Sequence, residues 1–104
     1  MTIQFNTDKT INGEERKEDY FTAQIEEELE RYQSHITRIE VHLSDENGKK
    51  DGLKDIRCLI EARLEGKQPI AASDQADNID LAVSGALNKL KAALKTIVSR
   101  SKNH

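Results

Sequence analysis

The C-terminal part of the chain carries cations and no acid. Residues 81–104 contain neither aspartate nor glutamate. The lysines and arginines of this segment are Lys89, Lys91, Lys95, Arg100 and Lys102. Residues 14–30 have the opposite bias, with eight acids against two bases. One small domain could therefore present a basic face and an acidic face, although both could equally be ordinary solvated helix surfaces.

Residues capable of catalysis or metal binding form no recognisable motif. His35 and His42 are seven residues apart, with no Cys-x-x-Cys or close histidine pair, which argues against a metal site. Cys58, the only cysteine, lies on an apolar stripe and is predicted to be a packed, unreactive thiol. No carboxylate has an apolar context that would raise its pKa for acid–base catalysis. We therefore expect no enzyme activity, no cofactor and no small-molecule substrate.

Length and composition indicate one domain. The 104 residues suffice for a single core, and the net charge of −3 gives no general basic character. No apolar run approaches the roughly 20 residues that cross a bilayer. The N-terminus lacks the basic start and apolar stretch of a secretory signal. Together with the lone cysteine, these features favour a cytoplasmic location and no membrane partner.

The hydrophobic pattern predicts six elements in the order β-α-β-β-β-α. Alternating apolar residues predict four strands, at residues 2–6, 37–44, 55–65 and 68–73. Apolar residues at three- and four-residue steps predict two helices, at residues 19–33 and 79–98. Asp77 or Asn78 can cap the second helix, and Gly85 within it predicts close packing against the sheet. Pro69 has no amide hydrogen, so it should lie at the start of its strand or at a sheet edge.

These elements predict the α+β fold class. Short connections make strands two to four an antiparallel meander, with a longer hairpin loop near residues 45–55. Each helix has one apolar stripe, so both should pack on one face of the four-stranded sheet and leave the other in water. The residues expected on this open face are Arg38, Glu40, His42, Arg57, Leu59, Glu61 and Arg63.

Two segments resemble a known family, the ribosome hibernation promoting factors, also called sigma-54 modulation proteins. The pattern Leu29-Glu30-x-Tyr32-x-x-x-Ile36-x-x-Ile39-x-Val41 is similar to the helix-to-strand signature of that family. The second segment resembles its fourth strand and second helix, in Ile70-x-Ala72-Ser73, Asn78-Ile79-Asp80-Leu81-Ala82-Val83, Gly85 and Asn88-Lys89-Leu90. Together the segments cover about half of the chain, and the order of elements covers all of it.

The resemblance implies a fold like that of a double-stranded-RNA-binding domain. It also implies binding of ribosomal RNA, and of ribosomal proteins, in the messenger- and transfer-RNA channel of the small subunit, which keeps ribosomes inactive under stress. Because the chain ends just beyond the second helix, it resembles the short form without a C-terminal dimerisation domain. The cations expected to contact RNA backbone are Lys89, Lys91, Lys95, Arg57, Arg63, Lys67, Arg100 and Lys102.

The first helix departs from the family pattern, because acids stand where family members usually have several bases. Glu26, Glu27, Glu28 and Glu30 accompany a single cation, Arg31. These glutamates would repel phosphates. Two alternatives therefore stay open: a protein-interaction module that uses this acidic helix against a basic protein, and a binder of double-stranded RNA unrelated to ribosomes.

Overall fold

The computed structural model describes residues 1–7, 18–45 and 56–102, with the backbone alone for residues 101 and 102. The strands are β1 (Thr2–Thr7), β2 (Ile36–Asp45), β3 (Ile56–Leu64) and β4 (Ile70–Ala76). The α-helices are α1 (Glu18–Glu28) and α2 (Ile79–Lys102), and a 3-10 helix (Glu30–His35) follows α1. The predicted α+β class and element order are confirmed. The predicted connection between β1 and α1 and the hairpin loop at residues 46–55 lie outside the described residues.

The four strands form one sheet in the order β1-β2-β3-β4. β1 runs parallel to β2, and β2, β3 and β4 form the predicted antiparallel meander. Alternate residues of β2 and β3 are buried beneath the helices, and α2 packs over β3 and β4. α1 contributes Phe21 and Ile25 to the same core, and Leu29, directly after α1, also belongs to it. None of the described helices has the length and apolar character needed to cross a membrane.

The junction between α1 and β2 differs from the predicted continuous helix. α1 ends at Glu28, and the next turn is a 3-10 helix in which the Tyr32 amide donates to the Leu29 carbonyl at 2.9 Å. Bonds of this i→i+3 type often tighten the last turn of a helix, and apolar spacing does not distinguish them from α-helical bonds. Ile36 then begins β2, and a bulge between Ile36 and Arg38 lets both Ile36 and Ile39 face the core.

β4 is displaced from its predicted position. It was expected at residues 68–73 but runs from Ile70 to Ala76, with Pro69 just before it at the sheet edge. Asp74 lies within this strand because α2 accommodates its side chain. Lys89 pairs with the Asp74 carboxylate at 3.3 Å, and a Cβ at residue 85 would overlap that carboxylate. Because Gly85 has no side chain, Asp74 of β4 can approach α2 closely, as the position of this glycine within a helix predicted.

The Gly85–Asp74 contact predicts opposite effects of one substitution in two backgrounds. In an Asp74→Ala protein, Gly85→Ala should raise the free energy of unfolding by about 1 kcal/mol, because alanine favours helix. In the native background the new methyl group must displace the Asp74 carboxylate from Lys89, which should cancel or reverse that gain. Urea unfolding of the four proteins in this double-mutant cycle measures the coupling. An equal effect of Gly85→Ala in both backgrounds would contradict the contact.

Candidate functional site

The two α-helices run in the same direction and are joined along one seam. The Gln24 amide donates to the Ser84 hydroxyl at 3.3 Å, and one turn later Glu28 accepts from Lys91 at 3.3 Å. The N-terminal ends of α1 and α2 therefore lie at one end of the molecule. Acids occupy both of these first turns, at Glu18, Asp19 and Asp80. They suit the partial positive charge of helix N-termini, and the cations of α2 lie farther along the helix.

Two of the three central α2 lysines form ion pairs within the protein. Lys89 donates to the Asp74 carboxylate and, at 3.1 Å, to the Ser73 carbonyl on β4. Lys91 is paired with Glu28 across the helix seam. Lys95 is exposed and forms no ion pair with any other described residue. The three lysines expected to contact RNA thus differ in availability, since only Lys95 would bind phosphate without first leaving an acid.

The cations of β3 and its turn are not brought together. Arg63 contacts Glu40 at 3.2 Å and Glu61 at 3.5 Å. Arg38 also contacts Glu40. In this part of the open face the arginines are therefore paired with glutamates, and their charges are balanced. Arg57 is six residues from Arg63 along β3, or about 20 Å in an extended strand. It borders a depression with His42 and Ser44 instead.

A second depression lies where the β3–β4 turn faces the last turns of α2. Its lining residues are Leu64, Lys67, Gln68, Ile70, Ile97 and Arg100. In the described part of the chain neither Lys67 nor Arg100 has an ion-pair partner, and both are exposed. Lys95 is exposed on the same C-terminal half of α2 but does not line this depression; it lies one turn after Lys91 and on another side of the helix from Ile97. We call Lys67, Lys95 and Arg100 the basic end; the side chain of Lys102, the eighth expected cation, lies outside the described residues.

The acids of the first helical segment divide into two groups. Glu28 is half-buried against Lys91, whereas Glu26, Glu27 and Glu30 are exposed. Arg31, beside them, lies over the Tyr32 ring at 5.6 Å from its centre, within cation–π distance. The exposed glutamates thus form an acidic surface on α1 and the turn after it.

Cys58 is buried in the sheet beneath α2, as its place on the inward stripe of β3 predicts. Burial raises the pKa of its thiol from 9.0 to about 12; the charge of Asp74 adds to this increase and that of Arg57 opposes it. Such a thiol stays protonated and unreactive at neutral pH. No group of three or more His, Cys, Asp or Glu residues in the described ranges could hold a metal ion.

The Cys58 environment predicts how stability changes in alkali. Between pH 9.0 and about 12 the thiol ionises in the unfolded chain but not in the folded one. The contribution of the protonated thiol to the free energy of unfolding is therefore complete below pH 9.0. It decreases as the pH rises through this window, by up to about 1.4 kcal/mol per pH unit. Urea unfolding at several alkaline pH values, compared with Cys58→Ala, measures this contribution. The variant should lose less stability than the native protein; equal losses would contradict the assignment.

Sequence patterns indicated which face each charged residue occupies but not its partner. The Glu28–Lys91 and Asp74–Lys89 pairs join residues 63 and 15 positions apart. No spacing rule links such residues before the helix direction and strand register are known. The proximity of Lys67 and Arg100 was missed for the same reason. The only local signal was the Gly66-Lys67 turn, where Gly66 adopts a φ of 72°.

Comparisons with known proteins agree with this fold. The family model described as "Sigma 54 modulation protein / S30EA ribosomal protein" matches residues 3–102. The crystal structure of the Thermus thermophilus Protein Y N-terminal domain is similar, with a TM-score of 0.72 and 19% identity over 93% of this chain and 99% of that one. A ribosomal subunit interface protein from Coxiella burnetii is also similar, with a TM-score of 0.63 and 19% identity over 95% and 99% of the respective chains. The comparison with curated proteins found no match.

Proposed function

Because the chain belongs to the sigma 54 modulation protein / S30EA ribosomal protein family, a family of ribosome-associated factors, we propose that it binds the small ribosomal subunit and keeps it translationally inactive. Its binding site is the channel for messenger and transfer RNA, and its role belongs to stress or stationary phase. It acts by occupancy and catalyses no reaction. Membership of a ribosome-associated family also implies a cytoplasmic location.

The main structural support for this proposal is the state of the three cations of the basic end. Lys67, Lys95 and Arg100 are exposed and have no ion pair among the described residues. Cations in this state can neutralise RNA phosphates and release counterions without the cost of leaving an internal partner. Lys89, Lys91 and Arg63 would first have to leave an acid. The basic end is therefore the main RNA contact, and the remaining expected cations contribute less.

The position of the acidic surface determines how the bound protein is oriented relative to the RNA. Glu26, Glu27 and Glu30 are exposed and would repel a phosphate backbone. Contact through the basic end leaves these glutamates directed away from the RNA or towards basic ribosomal proteins. The net charge of −3 is then compatible with RNA binding, because the exposed glutamates and the cations of the basic end belong to different elements.

Co-sedimentation with purified small subunits, large subunits and whole ribosomes tests the proposal. The protein should move with the small subunit and with whole ribosomes, and its affinity should decrease between about 50 and about 200 mM salt. Addition of messenger and initiator transfer RNA should displace it. Absence from the small-subunit fractions at both salt concentrations would refute the proposal. Binding that survives the channel ligands would refute the channel as the site.

Glu28→Gln should strengthen binding to the small subunit. The substitution removes the carboxylate that pairs with Lys91 and so makes one more cation available to phosphate. We expect affinity to rise several-fold and the slope of log K against log salt to steepen by up to about 1. Stability should change by less than about 1 kcal/mol, since the pair is partly exposed. The measurement is subunit binding across a salt series.

The matched control is Glu26→Gln. It removes the same charge from the same helix, but Glu26 is exposed and pairs with no lysine among the described residues. General loss of negative charge would strengthen binding equally in both variants. A larger gain for Glu28→Gln alone would identify the release of Lys91 as the cause.

A further inference from the structure

The depression at the basic end combines an apolar floor with a cationic rim. Leu64, Ile70 and Ile97 form the floor, and Lys67, Gln68 and Arg100 form the rim. Ile70 and Ile97 remain partly exposed here, at the edge of the core. A surface that neutralises phosphates needs no apolar floor, so this combination suits a ligand with both a charged and a flat apolar part.

The depression has a rigid support. Leu64 is buried on β3 opposite Ile36, and the next amide, of Glu65, donates to the His35 carbonyl at 3.0 Å. Gly66 then turns the chain with its positive φ, and Lys67 follows directly. On the other side Ile97 belongs to the long helix α2. A site formed by a tied turn and a packed helix needs little ordering before a ligand binds.

The charge of the depression favours an anion. None of its six lining residues is an acid, and its two cations have no ion-pair partner among the described residues. The depression around Arg57 and Lys89 differs, because Asp74 lines it and is paired with Lys89. The Gln68 amide adds a group that can both donate and accept hydrogen bonds.

We propose that this depression binds one unstacked nucleotide of single-stranded RNA. Lys67 and Arg100 hold its phosphate, the base lies on Ile70 and Ile97, and Gln68 contacts the edge of the base. Unpaired bases are the parts of RNA that leave the stack and rest on side chains, whereas duplex RNA presents mainly backbone. The inference rests on the proposed function and adds to it the kind of RNA that the basic end selects.

Fluorescence anisotropy with three labelled RNA probes of equal length, about eight nucleotides, tests the inference. The probes are a single strand of uridines, the same ribose-phosphate backbone without bases, and a duplex. The single strand should bind about tenfold more tightly than the other two, which corresponds to one stacked base. Equal affinity for the strands with and without bases would overturn the assignment of a base to the depression.

Two variants separate the phosphate contact from the base contact. Lys67→Ala with Arg100→Ala should weaken binding of the uridine strand by at least about tenfold and reduce its salt slope by about 1.4. Ile97→Ser should lower affinity for the uridine strand to that for the strand without bases, and leave the latter unchanged. Circular dichroism should show that both variants are folded. Arg38→Met, on the open face of the sheet and outside the depression, serves as the control and should leave the preference for bases intact.

Other outcomes have clear meanings. An acidic, leucine-containing peptide that displaces the uridine strand and binds more tightly would assign the depression to a protein partner and overturn the inference. The proposed function is tested separately by co-sedimentation with subunits. A protein that co-sediments but does not prefer unpaired bases refutes this inference alone. A protein that prefers unpaired bases but does not co-sediment refutes the proposed function alone.

Discussion

Simultaneous replacement of Lys67, Lys95 and Arg100 by alanine is expected to weaken binding to the small subunit by about 100-fold near 50 mM salt. Each exposed cation that meets a phosphate releases about one counterion, so the slope of log K against log salt should also fall by about 2 to 3. The three side chains are exposed and have no ion pair in the described part of the chain. Their loss should therefore change stability little.

The control for this variant is the pair Lys89→Met and Lys91→Met. It removes two lysines of the same helix, but their charges are already balanced by Asp74 and Glu28. We expect a small loss of stability and little change in the salt slope. Subunit binding across a salt series, with urea unfolding in parallel, measures both quantities. If the control loses as much affinity as the triple variant, the basic end is not the principal RNA contact.

Phe21→Ala is expected to reduce the free energy of unfolding by about 3–5 kcal/mol. Phe21 has no solvent-exposed surface and attaches α1 to the core together with Ile25 and Leu29. Truncation removes its apolar contacts and leaves a cavity that neighbouring side chains only partly fill. Because domains of this kind have a total stability of about 5–15 kcal/mol, the variant should be close to unfolding at ordinary temperatures.

Tyr20→Ala is the matched control for this prediction. Tyr20 is the preceding residue of the same helix and contacts the Phe21 ring edge-on, but 59% of its surface is exposed. Its replacement should cost about 1 kcal/mol or less, since little apolar surface returns to water. Urea unfolding followed by circular dichroism gives both values. Similar losses for the two variants would show that α1 is not held by its inward stripe.

The elements of this fold could be predicted because their signals are local. The apolar steps along α2 identified a buried stripe, and the Asn78 side chain caps that helix by accepting from the Leu81 amide at 2.9 Å, as predicted. Alternation along β3 placed Cys58 towards the core and Arg57 away from it. Each of these features depends on residues within a few positions of each other, where the geometry of helix or strand is known in advance.

The end of β4 could not be predicted from local signals. Its last three residues were predicted to lie outside the strand, and two of them, Asp74 and Gln75, are polar. They extend it because Asp74 fits against Gly85 and pairs with Lys89 on the neighbouring helix. A contact with a distant element thus outweighed the weak strand preference of aspartate.

By itself, the sequence determined the α+β class, the order of the elements and the inward side of each one, because hydrophobic periodicity is a property of neighbouring residues. Only the tertiary structure decided which cations are available. Parallel packing of the two helices neutralises Lys91 with Glu28, and the strand register neutralises Arg63 with Glu40. The same packing brings Lys67 and Arg100 to one depression. Charge pairing depends on distances of a few ångströms between residues far apart in sequence, and those distances exist only once the chain has folded.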